Sequence, residues 1–180
     1  MSDNEDNKDF NPEEEVAINE DNKINLPKDI VVKTGEEDED LIYKVRGRLY
    51  RFRKDEWKER GTGEIRFLRN NADKKIRFIL RQDKTLKVVA NFYFADKPLC
   101  ELASHQGSDK MFFFLAYDCS DETPSIEKFV LKLGNAEIAN NFKTNFEAAK
   151  KFVLDAKDGK DVVFAPVIKS DKDEKKDEEK

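Results

Sequence analysis

The spacing of hydrophobic residues along the chain changes twice. Up to Asn25, single apolar residues are scattered among Asp, Glu and Asn, and such a stretch buries too little apolar surface to offset its chain entropy. It is expected to be a disordered tail. From Leu41 the period is two, as in half-buried strands. Val45, Gly47 and Leu49 alternate with Arg46, Arg48 and Tyr50, and Ile76, Phe78 and Leu80 alternate with Arg77 and Ile79. Leu86, Val88, Ala90, Phe92 and Phe94 predict one face of a long strand. The run Met111 to Leu115 predicts a strand buried on both sides, and Phe129, Leu131 and Leu133 close the series. Turn formers separate these segments at Asn70 to Asp73, Gln82-Asp83, Gln106 to Asp109 and Asp121 to Pro124. Gly61-Thr62-Gly63, just before Ile65 and Phe67, reads as a hairpin turn.

Beyond Leu133 the period becomes helical. Ile138, Ala139, Phe142, Phe146, Ala149 and Val153 recur at steps of three and four, with Asn135 placed to cap the first turn and Glu137 within it. Six or seven antiparallel strands followed by one amphipathic helix predict a mainly β fold. The expected form is a seven-stranded antiparallel sandwich or barrel of pleckstrin-homology type, its open end plugged by the C-terminal helix through Phe142 and Phe146.

Charge sharpens the domain plan. The chain has 180 residues and a net charge of -5, but the charge is unevenly distributed. Residues 1–40 hold fifteen acids and four bases, residues 41–154 fifteen acids and twenty-three bases, and residues 155–180 nine acids and seven bases. The expected organisation is an acidic disordered tail over 1–25, an N-terminal arm over 26–40, a basic domain over 41–154 and a charged tail over 155–180. The arm carries an apolar cluster, Leu26, Pro27, Ile30 and Val32, suited to docking. A basic domain behind an acidic arm calls for an acidic partner. It argues against nucleic acid, which the arm would repel.

Catalysis has no inventory here. His105 is the only histidine, in a loop-like context beside Ser104 without a triad's other parts. Cys100, Cys119 and His105 lack the close ligand pairs of a metal site. Gly61-Thr62-Gly63 has neither the Gly-Lys-Ser/Thr sequence nor the following helix of a phosphate loop. The two cysteines are read as reduced thiols, and the acidic start contains no leader pattern. No cofactor or metal is expected. The apolar segment Val162 to Ile168 has hydrophobe spacing like a nuclear-export signal, although a tail segment packed on the domain explains it more simply.

Binding features remain. Trp57, the only tryptophan, stands in Asp55-Glu56-Trp57-Lys58-Glu59-Arg60-Gly61, where an aromatic among charges and glycines suits an interface. Arg46, Arg48, Arg51, Arg53 and Lys54 crowd one strand, with Arg66, Arg69, Arg77, Arg81, Lys84 and Lys87 on expected neighbours. Residues i and i+2 of a strand share a face, so some of these bases must form a stripe.

Taken together, Glu36 to Asp40, Leu49-Tyr50-Arg51-Phe52, Trp57-Lys58-Glu59-Arg60-Gly61-Thr62-Gly63, Arg81 to Lys87, Ala90-Asn91, Gly107-Ser108-Asp109 and Asn141 to Glu147 resemble the Ran-binding domain family in its small single-domain form. The resemblance runs in order from about Leu26 to Val153. It implies a non-catalytic module that embraces the small GTPase Ran in its GTP form, receives Ran's acidic C-terminal tail on its basic face and reaches over Ran with its arm. It also implies a Ran-binding set of Trp57, Lys58, Glu59, Arg60, Gly61, Arg46, Arg48, Lys84, Lys87 and Asn91. A ternary complex with a Ran GTPase-activating protein or a Ran-bound transport receptor would follow, and a cytoplasmic location that leaves room for shuttling through the nucleus. This chain has Phe92-Tyr93-Phe94 where the family often has histidine after the asparagine, and Phe112-Phe113-Phe114 where members write tryptophan. The rival reading is a phosphoinositide-binding module using Arg53, Lys54, Lys58 and Arg60, which the acidic arm disfavours at an anionic membrane.

Overall fold

The computed structural model describes residues 34–163. The arm residues Leu26, Pro27, Ile30 and Val32, the tail over 1–25 and residues 164–180 of the charged tail lie outside that range. The described chain contains seven strands and a helix: β1 (Glu39–Arg53), β2 (Glu56–Asn70), β3 (Ile76–Gln82), β4 (Val88–Tyr93), β5 (Ala103–Ser104), β6 (Met111–Asp118), β7 (Ser125–Leu133) and α1 (Ala136–Lys157). All strand pairs are antiparallel, in the order β4-β3-β2-β1-β7-β6-β5.

β1 makes the architecture possible because it serves both halves of the sheet. It pairs with β2 along its whole length, and Gly47 to Phe52 pair on the other edge with Leu133 to Lys128 of β7. The sheet then folds over a common core, and its far strands meet where Asn91 N–H donates to Asp118 Oδ1 at 2.8 Å and Cys119 N–H to the Asn91 carbonyl at 2.8 Å. Inside lie Phe67, Phe78, Phe92, Phe114 and Phe129, all fully buried. α1 closes the open end with Phe142 and Phe146, whose ring centroids lie 5.8 and 6.2 Å from that of Phe67. Asn135 caps the helix, its side chain accepting from Ile138 N–H at 2.8 Å. The expected fold is the observed one.

Local differences follow from register. Gly61-Thr62-Gly63 is not a turn but the middle of β2, and the hairpin turns at Lys54 and Asp55, both with left-handed φ (52° and 60°). Two such residues match the twist of the strands they join. The glycines are needed for closeness. A Cβ on Gly63 would lie 1.9 Å from the Arg81 carbonyl oxygen, and one on Gly61 2.9 Å from Val89 Cγ2. β4 is shorter than expected, because Leu86 sits in the β3–β4 turn with φ 55° and is exposed. Leu80 pairs with Ala90 and Arg81 with Val88, leaving Val89 as an extra residue that turns into the core. β6 is buried fully on one side only, through Phe112, Phe114 and Ala116, while Met111, Phe113 and Leu115 are half-covered.

Candidate partner-binding surfaces

A second bulge shapes the hairpin that carries Trp57. Leu49 pairs with Gly61 but Tyr50 with Glu59, so Arg60 is an extra residue in β2. Such an insertion re-aims the side chains beyond it. Past it Trp57 stands opposite Phe52 and remains 45% exposed, with ring centroids 5.1 Å apart. Phe113 of β6 meets the indole edge-on at 6.1 Å. On the face of these rings lies Arg48, hydrogen-bonded to Thr62 Oγ1 at 3.3 Å and 3.6 Å from Glu59, whereas Lys58, 3.3 Å from Glu56, is on the opposite face of the hairpin. Lys128 lies 5.4 Å over the Phe52 ring, and Lys132 pairs in register with Arg48.

Arg60 serves a different purpose. Its Nε donates to the Val89 carbonyl at 3.0 Å and Nη2 to Asp121 Oδ1 at 2.8 Å. Arg51 reaches the other oxygen of Asp121 at 2.7 Å, and Arg53 reaches it at 2.9 Å while also gripping Glu127. Burial alone would raise both carboxyls, yet the arginines outweigh it and hold Asp121 and Glu127 below the usual carboxylate range. This hub ties the 120–127 segment to the hairpin. It also spends Arg53 and Arg60, two of the four bases a lipid headgroup would have required, on internal carboxylates.

The outer face of β2 and β3 carries the expected arginine stripe, but the chain's own acid covers it. Residues 34–38 cross it as a strap. Glu36 accepts from both Nε and Nη2 of Arg81, at 2.9 and 2.6 Å, and lies 3.5 Å from Arg66. Glu39 accepts from Nε and Nη2 of Arg77, and the Gly35 and Thr34 carbonyls accept from Arg77 and Arg81 at 3.1 and 3.4 Å. Ile79, between those arginines in β3, is only 2% exposed. Asp40 adds a bond from Arg69, and hydrogen bonds from Asn71 and Arg69 hold its carboxyl below the usual carboxylate range.

The residues singled out from sequence therefore separate. Trp57, Glu59 and Arg48 share one exposed face of the hairpin, while Lys58, in register with Arg51 and 3.3 Å from Glu56, is exposed on the other. Lys84, with φ 66°, and Lys87 lie exposed at the β3–β4 turn, where Arg46 grips Asp83 and keeps its carboxyl below its ordinary pKa. Arg60 is turned into the Asp121 hub, and Gly61 packs against Val89. Asn91 accepts from Arg77 at 3.3 Å and belongs to the strapped face. Sequence reasoning did not single out Phe52, Phe113, Lys128, Lys132, Asp121 or the strap's ionic role. Phe113 lay within a run read as buried on both sides, so its outward ring had no signal in the sequence reading. Among the described residues no cluster could hold a metal ion, and no helix is long and apolar enough to cross a membrane.

A seven-stranded antiparallel sheet of this topology, plugged at its open end by one helix, defines a fold of the pleckstrin-homology type. The fold matches the Ran-binding domain of Nup2 from Ashbya gossypii, with a TM-score of 0.54 and 18% identity over 65% of this chain and 99% of that one. The sequence pattern of the RanBP1 domain matches residues 31–152, and the chain belongs to that family. It is 39% identical over 132 residues to human E3 SUMO-protein ligase RanBP2, covering 72% of this chain but 4% of that protein. It is 40% identical to the Ran-specific GTPase-activating protein homolog of Dictyostelium discoideum, over 74% of this chain and 72% of the relative. Ran-binding protein 1 homolog b of Arabidopsis thaliana is 34% identical, over 98% and 88%.

Proposed function

We propose that this chain binds the small GTPase Ran in its GTP form, captures Ran's acidic C-terminal tail and so promotes hydrolysis stimulated by the GTPase-activating protein. It acts without catalytic groups of its own, in a ternary complex with that activator or with a Ran-bound transport receptor, and helps to take apart nuclear export complexes in the cytoplasm. Family membership supports the coarse reading. The observation that carries it to a surface is Trp57, held half-exposed on Phe52 and Phe113 with cations around it. Exposed aromatics with basic neighbours make binding hot spots. Tail capture can favour the GTP state only through a difference in affinity between the two nucleotide forms.

The test is a titration against Ran loaded with GTP or GDP, with and without the tail. Selective binding of the GTP form that weakens on tail removal is expected. Trp57→Ala should weaken it further, by about 2 kcal/mol or roughly 30-fold, the scale of a hot-spot aromatic. Equal affinity for both nucleotide forms would overturn the proposal.

A further inference from the structure

The end of the hairpin that carries Trp57 lacks a strand on one side. β2 pairs with β3 from Gly63 to Arg69, so residues 56–62 have β1 along one edge and, among the described residues, no strand along the other. Two hydrogen bonds stand in for the missing ladder: the Asp83 N–H to the Thr62 carbonyl at 2.9 Å, and Arg60 Nε to the Val89 carbonyl at 3.0 Å. Asp121 decides where the Arg60 side chain goes. Its Oδ1 accepts from Arg60 Nη2 at 2.8 Å, while its Oδ2 accepts from Arg51 at 2.7 Å and from Arg53 at 2.9 Å. Arg51 and Arg53 are the chain neighbours of Phe52, against whose ring Trp57 rests. One carboxylate outside the hairpin thus grips both of its strands, on β1 from the face opposite the Phe52 ring. The loop that carries Asp121 is itself anchored, because Asp118 Oδ1 accepts from the Asn91 N–H and the Cys119 N–H donates to the Asn91 carbonyl, both at 2.8 Å.

We infer that Asp121 is a positioning residue for partner binding: acting through Arg60, Arg51 and Arg53, it fixes the bulge in β2 and with it the pose of the Trp57 indole. The partner rests on the Ran reading, and the pose rests on the hub alone. An amide cannot replace the carboxylate. Asn has one acceptor oxygen, and its NH2 would face guanidinium donors where the second oxygen had accepted. Three guanidiniums would then share a corner with one remaining carboxylate, Glu127, which engages Arg53. Charges left without their partner in a half-buried setting drive the segment apart. With the Arg60 bulge released, the hairpin end samples poses in which the indole leaves Phe52 and Phe113. A partner that needs the docked pose then binds more weakly in proportion to the time that pose is lost.

Trp57 is the chain's only tryptophan, so the emission of the free full chain reports on this side chain alone. Asp121→Asn should raise its acrylamide quenching constant about 2-fold, from that of an indole 45% exposed toward that of a free one, and weaken binding of GTP-loaded Ran about 10-fold, as a pose held about a tenth of the time would. Asp121→Glu keeps both acceptor oxygens and should recover most of each loss. Phe142→Leu, in the core under α1, should lower the melting temperature and change neither reading, which separates positioning from a general loss of stability. An unchanged quenching constant in Asp121→Asn, an equal rise in Phe142→Leu, or a moved indole with unaltered affinity for Ran would each overturn the inference. Absence of Ran binding by the unaltered chain would instead sink the Ran reading, and the quenching series would still decide whether Asp121 sets the pose.

Discussion

Glu39, the first residue of β1, reaches across the whole width of β2 to Arg77 of β3, accepting from its Nε at 3.0 and 2.9 Å and from its Nη2 at 2.6 Å. Both side chains are largely shut from water, at 13% exposure for the arginine and 8% for the glutamate. The pair fixes the direction in which the chain enters the domain, and it joins strands that share no backbone bonds.

Removing one member should strand the other. Glu39→Ala is expected to lower stability by about 3 kcal/mol, the cost of uncoupling a mostly buried ion pair. Urea denaturation checks this, and a loss as small as that of an exposed pair, below about 1 kcal/mol, would show the strap to be only loosely held.

The Asp121 hub makes the fold sensitive to acid. Asp121 and Glu127 have pKa values lowered in the folded state, so the unfolded chain binds more protons over that range. Their contribution is complete above the ordinary carboxylate values, 3.8 and 4.5, and is lost as the pH falls through the lower folded values. Asp121→Asn/Glu127→Gln should be less stable than the unaltered chain at pH 7, with the difference shrinking below about pH 4. Denaturation curves from pH 3 to 7 that stayed parallel would contradict the assignment.

Gly63→Ala tests the close approach of β2 and β3. The added carbon would meet a backbone carbonyl, which cannot rotate away, so a loss of about 3 kcal/mol is expected. Gly47→Ala meets the Leu131 and Ile65 methyl ends at 2.9 and 3.0 Å, which can give, and should cost less. Equal losses in chemical denaturation would show that β2 and β3 can separate without penalty.

The two thiols should differ in access. Cys100 is buried and Cys119 exposed, and burial raises both thiol pKa values. A thiol-exchange reagent at pH 8 should label one cysteine of the native chain promptly and the second only on unfolding. Labelling of both at one rate would mean that the segment around Cys100 opens readily.

The helix was legible because Ala139, Phe142, Phe146 and Ala149 repeat at helical steps and all four are buried. The strands were legible where one face met the core, as in Phe129, Leu131 and Leu133. β5 was not, since two exposed residues, Ala103 and Ser104, carry no period. Gly61 and Gly63 misled because a glycine needed for close approach looks the same in sequence as one needed for a turn. Trp57 and its basic neighbours stood out in the sequence as a candidate binding segment. Their partition between an exposed face and the Asp121 hub was not legible, because a single-residue bulge at Arg60 decides it.

Sequence alone determined the helix and the strands that face the core, the basic character of the domain and the family to which it belongs, since each rests on local period, composition or contiguous motif. Tertiary structure decided which positive charges remain available. Opposite charges far apart in the chain, Glu36 with Arg81 and Asp121 with Arg51, Arg53 and Arg60, meet only after the sheet has folded. Charge counts add along a sequence, but the field a partner meets depends on which of those charges have already been neutralised within a few ångströms.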